Sequence, residues 1–297
     1  MGLRSKRDRF QVKALLLPGV MVFALFTIYP IVKLLYMSFL EWDLGSMTSH
    51  QFVGLKNYYD VVADKTFRTA FANTLIYALV TVPGQMILGL LAAVLVNEIP
   101  RFRVTFRVIY YIPVITSWVI ASLIFRYIFN TEGMLNYLLT NILHLTSVNV
   151  RWLDSRFGGL IVAMMLGIWK GVGWNLVVFL AALQNVPQEL YESASIDGGN
   201  SFQRFFYITL PSIKSTILFA LVMLTIGGFN VFTSIKMITD GKPMHQTETV
   251  LTWMYYKAFN TGKFGYAAAL SFIVAVILVF LAVLQFRAMK QKDAFIA

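Results

Sequence analysis

Six long apolar runs separated by polar connections organise this chain, at 14–39, 71–96, 108–129, 158–183, 213–235 and 266–286. A helix crosses the hydrocarbon core of a bilayer with about 20 mostly apolar residues, so each run predicts one spanning helix. The pattern is that of an all-α polytopic membrane protein with six transmembrane helices and both termini on one side. The first run is too long for the core of a signal peptide and continues past Pro30 without a small-residue cleavage site; it reads as a retained helix, kinked near that proline. One connection departs from the rest. Residues 186–212, VPQELYESASIDGGNSFQRFFYITLPS, are too polar to span hydrocarbon and too rich in helix formers to be a floppy linker. A structured loop of this length on one face of a membrane protein is a surface for a partner.

Composition agrees with lipid as the solvent. The 297 residues are 58% hydrophobic and 13% charged, about half the charged share of a soluble domain. The net charge of +11 does not indicate nucleic acid, because the basic residues sit just outside apolar runs rather than on one soluble face. Arg4, Lys6, Arg7, Arg9 and Lys13 precede the first run. Arg101, Arg103 and Arg107 occupy the second connection, Arg204 and Lys214 the fourth, and Arg287, Lys290 and Lys292 the C-terminal tail. The positive-inside bias places these segments in the cytoplasm, although the fifth connection also carries Lys236, Lys242, Lys257 and Lys263. There is no cysteine, hence no disulfide, thiolate metal site or S-palmitoylation. His50, His144 and His245 lie far apart and read as surface residues of loops.

What the runs lack is informative. All fourteen Asp and Glu residues fall outside them, whereas ion-driven carriers commonly keep ionisable groups near the midplane. Ion coupling is disfavoured, with backbone carbonyls left as the alternative sodium ligands. Gly241-Lys242 and Gly262-Lys263 lack the spacing and the following hydroxyl of a nucleotide-binding loop, and no paired Asp, Ser with Lys or His, or HExxH arrangement lies within a run. Energy for any active transport must come from another subunit.

The polar loop divides into two pieces. After Pro187, residues Gln188 to Ile196 have helical composition, Gly198 permits the positive φ of a sharp turn, and Ser201 is placed to cap a second helix from Phe202 to Tyr207. Two short helices at an angle make a compact knob. Small side chains at Ser193 and Ala194 let it seat in a cleft, where Glu192 offers a carboxylate; an amphipathic helix resting on the membrane is the alternative. The pattern Glu192-Ser193-Ala194, Asp197-Gly198-Gly199 and Ile208-Thr209-Leu210-Pro211 resembles the EAA loop of permease subunits of ABC importers, most closely the carbohydrate permeases of the maltose and glycerol-phosphate type. Phe52 to Tyr58, Glu132 to Asn136 and Leu183 to Pro187 are also similar to that family, so the likeness covers nearly the whole chain. Ser193 and Gly199 stand where the family usually has Ala, and the extra N-terminal spans and external insertion of the best-known maltose permease have no counterpart.

A second concentration of unusual residues lies in the fourth run: Trp169, Lys170, Gly171, Gly173, Trp174 and Asn175. Lys170 and Trp174 are four apart and share a helix face. Sugars present apolar C–H faces and hydroxyl rims, which an aromatic platform beside polar donors matches. In the fifth run Gly227, Gly228, Phe229 and Asn230 add space and an amide. Two readings stand side by side for these residues: sugar contact, or ordinary packing with Lys170 snorkelling and Asn230 bonding a neighbouring helix. Gly167, Gly171 and Ala163 are spaced for close helix approach, and Arg126 reads as snorkelling to an interface.

The resemblance implies a single transmembrane permease domain over 1–297, multi-pass in a bacterial-type cell membrane with cytoplasmic termini. It implies import of an oligosaccharide or related sugar, with glycerol phosphate or a charged oligosaccharide as the alternative cargo. An ion-coupled carrier and a non-transporting membrane scaffold remain as other classes. The implied partners are a second permease subunit, two ATPase subunits and an extracytoplasmic solute-binding protein, in a setting of membrane lipid and without nucleic acid. ATP is bound by the partner subunits, so the chain itself needs no cofactor, metal or catalytic residue. Coupling to the ATPases falls to Glu192, Ser193, Ala194, Asp197, Gly198, Gly199, Leu210 and Pro211. The substrate-pathway candidates are Trp169, Lys170, Gly171, Trp174, Asn175, Gly228 and Asn230, with Gly171 and Trp174 similar in position to sugar-contacting residues of maltose-type permeases.

Overall fold

The computed structural model describes residues 6–43, 51–99 and 101–290, with only the backbone for 6–14, 289 and 290. Arg4, His50 and Lys292 lie outside the described residues. Two compact units emerge, one of Met1–Asp64 with Met254–Ala275, the other of Lys65–Trp253 with Val276–Ala297. The helices are α1 (Lys6–Phe23), α2 (Tyr29–Ser38), α3 (Lys56–Ala63), α4 (Lys65–Glu98), α5 (Arg103–Ile115), α6 (Trp118–Ile128), α7 (Met134–Tyr137) and α8 (Arg156–Leu183). They continue with α9 (Gln188–Ile196), α10 (Ser201–Arg204), α11 (Leu210–Ser212), α12 (Lys214–Phe229), α13 (Thr233–Ile238), α14 (Val250–Tyr255) and α15 (Phe264–Lys290). Among the described residues, β1 (Leu40–Glu41) and β2 (Gln51–Phe52) form one small antiparallel ladder.

Among the described residues five helical stretches are long and apolar enough to cross a bilayer, and a bent pair makes the sixth candidate. The first, Leu15–Ser38, passes as one span through a π turn at Ala24–Ile28, so the missing N–H of Pro30 falls where the hydrogen-bond ladder is already displaced. The expected third span is not one helix. Between α5 and α6 the chain turns by 89°, because Thr116 (φ −66°, ψ 145°) and Ser117 (φ −59°, ψ 134°) are extended. Hydropathy is blind to this break, since both flanks are apolar. The fifth span is also interrupted, at Asn230–Phe232, before resuming as α13.

In the first unit, short polar bonds sew the end of the first span to the following helix. Asn57 Nδ2 donates to the carbonyls of Ser38 (2.9 Å) and Leu40 (2.8 Å), and Ser38 Oγ meets Tyr58 Oη at 2.7 Å. Asp64 accepts from Tyr266 Oη at 2.9 Å and lies 3.4 Å from Lys257 Nζ.

The second unit is built on the crossing of α4 and α8, where glycines remove the side chains that would hold the backbones apart. A Cβ on Gly167 would strike the Tyr77 hydroxyl, one on Gly171 the Gln85 amide, and one on Gly89 the side chain of Asn175. The small-residue spacing read from the fourth run thus faces α4. Around this crossing lie two apolar clusters, one centred on Leu160, Leu166 and Ile235, the other on Leu176, Phe179 and Ile213. At the beginning of α8, Arg156 Nε donates to the buried Asn73 Oδ1 at 2.8 Å, and Asn73 Nδ2 donates to the carbonyls of Gln246 and Glu248. His245 is not a bare surface residue. Its Nδ1 lies 2.9 Å from the buried Glu248 carboxylate, and its ring packs edge-on to Trp253 at 5.3 Å.

The glycine contacts generate a paired expectation. Gly89→Val places a branched side chain against Asn175 and the Val172 carbonyl; overpacking of ~1–3 kcal/mol should lower the unfolding temperature of the solubilised protein by roughly 5 °C. Gly227→Ala, whose Cβ meets nothing within 4 Å, should not lower it and, by the helix preference for Ala, should raise it slightly.

Candidate functional site

Two features of the second unit concentrate the candidate residues. The first is the elbow between α8 and α12. Pro187, in extended geometry, opens α9, which ends at Ile196 as composition predicts. Gly198 has φ 79°, Gly198 N–H donates to Ser195 O (3.2 Å), and Gly199 N–H reaches back to Ala194 O (2.8 Å). These paired bonds are a Schellman closure, which requires a left-handed residue at Gly198. They also explain Gly199: a Cβ there would come within 2.8 Å of the Ala194 carbonyl oxygen.

The cap of the second piece is Asn200, not Ser201. Asn200 Oδ1 accepts from Gln203 N–H at 2.8 Å while Gln203 Oε1 accepts from Asn200 N–H at 2.9 Å, a reciprocal box that starts the helix one residue earlier than expected. The expected helix over Phe202 to Tyr207 is instead α10, a π turn at Phe205–Thr209, and α11, which contains Leu210 and Pro211. Two ties lock the pieces together. Tyr191 Oη meets Thr209 Oγ1 at 2.9 Å, and Arg204 Nη1 donates to Ser195 Oγ at 3.1 Å.

On its outer side the elbow exposes Ile196, Phe202 and Tyr207, each more than 70% accessible, together with the carboxylates of Glu192 and Asp197. A concavity of about 310 Å³ is lined by Ala194, Asp197, Gly198 and Gly199 on one side and Gln203, Arg204 and Tyr207 on the other. Of the candidate coupling residues, Ala194, Asp197, Gly198 and Gly199 meet here. Glu192 and Ser193 lie on the exposed surface of α9, and Leu210 and Pro211 lead towards Ile213 in the apolar core. A second hollow joins Asn97 and Glu98 of α4 to Tyr191, Ser201 and Arg204, so the second and fourth connections occupy the same end of the unit.

The second feature is a cavity of about 240 Å³ within the helices. Tyr77, Thr81 and Gln85 of α4, Val114 of α5, Trp118 of α6, and Gly167, Lys170, Gly171 and Trp174 of α8 form its wall, closed by Leu224, Gly227 and Gly228 of α12. Trp174 is half-buried, with its ring 6.3 Å from that of Phe219. Lys170 does not snorkel. It is 3% exposed, and Nζ donates to Pro113 O (2.6 Å), Thr116 O (2.7 Å) and Thr116 Oγ1 (3.1 Å) beneath the Trp118 ring.

The other candidates lie elsewhere. Trp169 points away, packed on Phe125 at 5.8 Å, and Asn175 sits in the α4–α8 crossing with Nδ2 on Gly171 O at 2.9 Å. Asn230 ends α12 at the break and does not line the cavity. Gly228 lines it but also packs on Ala78, whereas Gly227 borders open space. Sequence reasoning passed over Tyr77, Gln85 and Trp118; Gln85, an amide inside an apolar run, was the available signal. Arg126 is exposed and its Nη1 reaches Met237 O at 3.4 Å.

The sequence of residues 85–290, which carries this cavity and the elbow, matches a known family model, "binding-protein-dependent transport system inner membrane component". The chain belongs to this family. It is therefore an inner-membrane component of a transport system. The probable ABC transporter permease protein YurN of Bacillus subtilis is 34% identical over 279 residues, covering 93% of this chain and 95% of YurN. The arabinooligosaccharides transport system permease protein AraP of Halalkalibacterium halodurans is 34% identical over 275 residues, covering 91% of this chain and 85% of that protein. The lactose transport system permease protein LacF of Rhizobium radiobacter is 32% identical over 280 residues, with 93% and 92% covered. The fold is that of a crystallised bacterial ABC transporter for the acidic polysaccharide alginate (TM-score 0.82, 24% identity, 96% of each chain).

The elbow of this inner-membrane component owes its shape to few bonds, so one of them is a sensitive test. Asn200→Ala removes a cap worth ~1 kcal/mol and should raise amide hydrogen exchange at Gln203 about fivefold, read by mass spectrometry on the purified protein.

Proposed function

We propose that this chain is one of two permease subunits of an ABC importer for an oligosaccharide or related sugar. Two ATPase subunits seat on the elbow and hydrolyse ATP, and an extracytoplasmic solute-binding protein delivers the substrate. The observation that carries this reading is that one helix serves both features. Trp174 stands in the cavity wall and Leu183, about 14 Å further along α8, opens onto the elbow. A push on the elbow therefore reaches the cavity through a single rigid rod, and through Ile213 it reaches α12 as well.

The cavity chemistry supports a sugar. Trp174 and Trp118 offer faces to C–H surfaces, while the half-buried Gln85 offers an amide to hydroxyls. The names of AraP and LacF, which concern arabinooligosaccharides and lactose, point the same way. The elbow and both termini face the cytoplasm, in keeping with the bases of the second and fourth connections. A second cargo reading, an acidic oligosaccharide, draws on the positive field of Lys170 in the cavity wall, whose N–H groups are all taken by Pro113 and Thr116 and which no carboxylate of the described residues accompanies, and on the alginate transporter of like fold.

The test is reconstitution with partner subunits in liposomes. Uptake of labelled arabinose trisaccharide should require ATP, the ATPases and the binding protein, and Trp174→Ala should reduce it roughly tenfold, the equivalent of ~1.4 kcal/mol of aromatic contact. Gly198→Pro should abolish uptake by breaking the elbow. Competition by a uronic-acid trisaccharide, compared with a neutral one, decides between the two cargoes. Transport by the chain alone under an ion gradient, or full ATP-driven uptake by Gly198→Pro, would overturn the reading.

A further inference from the structure

The backbone of the third span leaves helical geometry at Thr116 and Ser117, between two apolar helices. A helix that stops in such surroundings leaves carbonyls without donors, and lipid offers none. In an unbroken helix Pro113 O would accept from the N–H of Ser117, and Thr116 O from that of Ile120. The extended residues turn those donors away. Thr116 Oγ1 folds back to Pro113 O at 2.6 Å, a local repair that leaves Thr116 O unserved.

The remaining donor comes from another helix. Lys170 Nζ, on α8, reaches Pro113 O, Thr116 O and Thr116 Oγ1, so its three N–H groups have three oxygen partners and none is left over. Its charge lies at the carbonyl end of α5, where the helix dipole favours a cation, and under the face of Trp118, the first residue of α6, with Nζ 4.9 Å from the ring centre. One ammonium thus contacts both arms of the bend. A short polar side chain cannot span this distance from α8, and a neutral one forfeits both the dipole and the ring. The carboxylate that would ordinarily accompany a buried lysine is replaced by these carbonyls among the described residues.

We propose that Lys170 is the clasp that holds the third span broken, a positioning residue for transport rather than a group that bonds the solute. Val114 on one arm and Trp118 on the other both stand in the cavity wall; four apart, they share a face on a straight helix too, so what the break sets is the course of the two arms past α8, which diverge by 89°, and with it the shape of that wall. The functional part of this inference rests on the reading of that cavity as the solute path; the structural part does not.

The chain has no cysteine, so two cysteines introduced into it are its sole labelling sites, and labelling it before assembly with its partners keeps the spin pair unique. Val104 and Tyr127, both exposed and on opposite arms, are suitable sites in the assembled complex in nanodiscs. At 1.5 Å per residue the bent span holds their backbones roughly 23 Å apart, and a straight one roughly 35 Å. Lys170→Met should shift the electron-resonance distance towards the longer value and lower ATP hydrolysis by the complex with its solute-binding protein at least tenfold. Lys170→Arg, which keeps the charge and the donors, should restore the shorter distance and most of the hydrolysis. Should Lys170→Met fail to accumulate, Thr116→Val removes one acceptor and the fold-back bond, and a population at the longer distance is expected there. A short, unchanged distance in Lys170→Met, or in Thr116→Val where that is the variant measured, overturns the clasp, whatever happens to hydrolysis. A lengthened span with full hydrolysis upholds the clasp and removes the cavity from the transport path.

Discussion

A carbonyl surrounded by hydrocarbon must find a donor, and at the bend of the third span its own helix does not provide one. Everything regular in the spans obeys this rule through intrahelical bonds. The turn at Thr116 and Ser117 departs from it and is tolerated because α8 passes close enough for Lys170 to reach across. That proximity is itself a consequence of small residues. Gly173 lets the backbone of Tyr110 approach α8, just as Gly89, Gly167 and Gly171 let α4 and α8 cross closely. The cavity exists between these contacts, where the glycines and the bend leave space that larger residues and a straight helix would fill.

Helix α8 is held at both ends as well as along its length. At its beginning, Arg156 is bonded to Asn73, which also grips the backbone of the 246–248 segment. At its end it runs into an elbow whose two arms are tied by Tyr191 to Thr209 and by Arg204 to Ser195. The proposed coupling requires this kind of stiffness, because a frayed helix end would absorb the displacement. The apolar residues exposed on the elbow, Ile196, Phe202 and Tyr207, are costly on a surface left open to water and suit one covered by a partner.

The candidate site was legible where chemistry is local in the chain. Residues 188–196 have helical composition and are followed by a glycine that can turn left, so α9 and its end emerged as read. The cap was misassigned by one position because Asn200 and Ser201 are both capable caps, and only the partner Gln203, three residues beyond Asn200, selects between them. In the fourth run, helical periodicity put Lys170 and Trp174 together on the cavity side and Gly171 beside them. Trp169 falls on another face, and Asn230 stands where the fifth span breaks, outside the lining of this cavity.

By itself the amino-acid order determined the number of apolar runs, the elbow and the family, since each depends on hydropathy summed over neighbours or on a motif of contiguous residues. Tertiary structure alone decided the bend in the third span, the place of Lys170 beneath Trp118, and the cavity wall that they share. The donor for Thr116 O lies 54 residues further along the chain, and no window of sequence contains both partners of that bond.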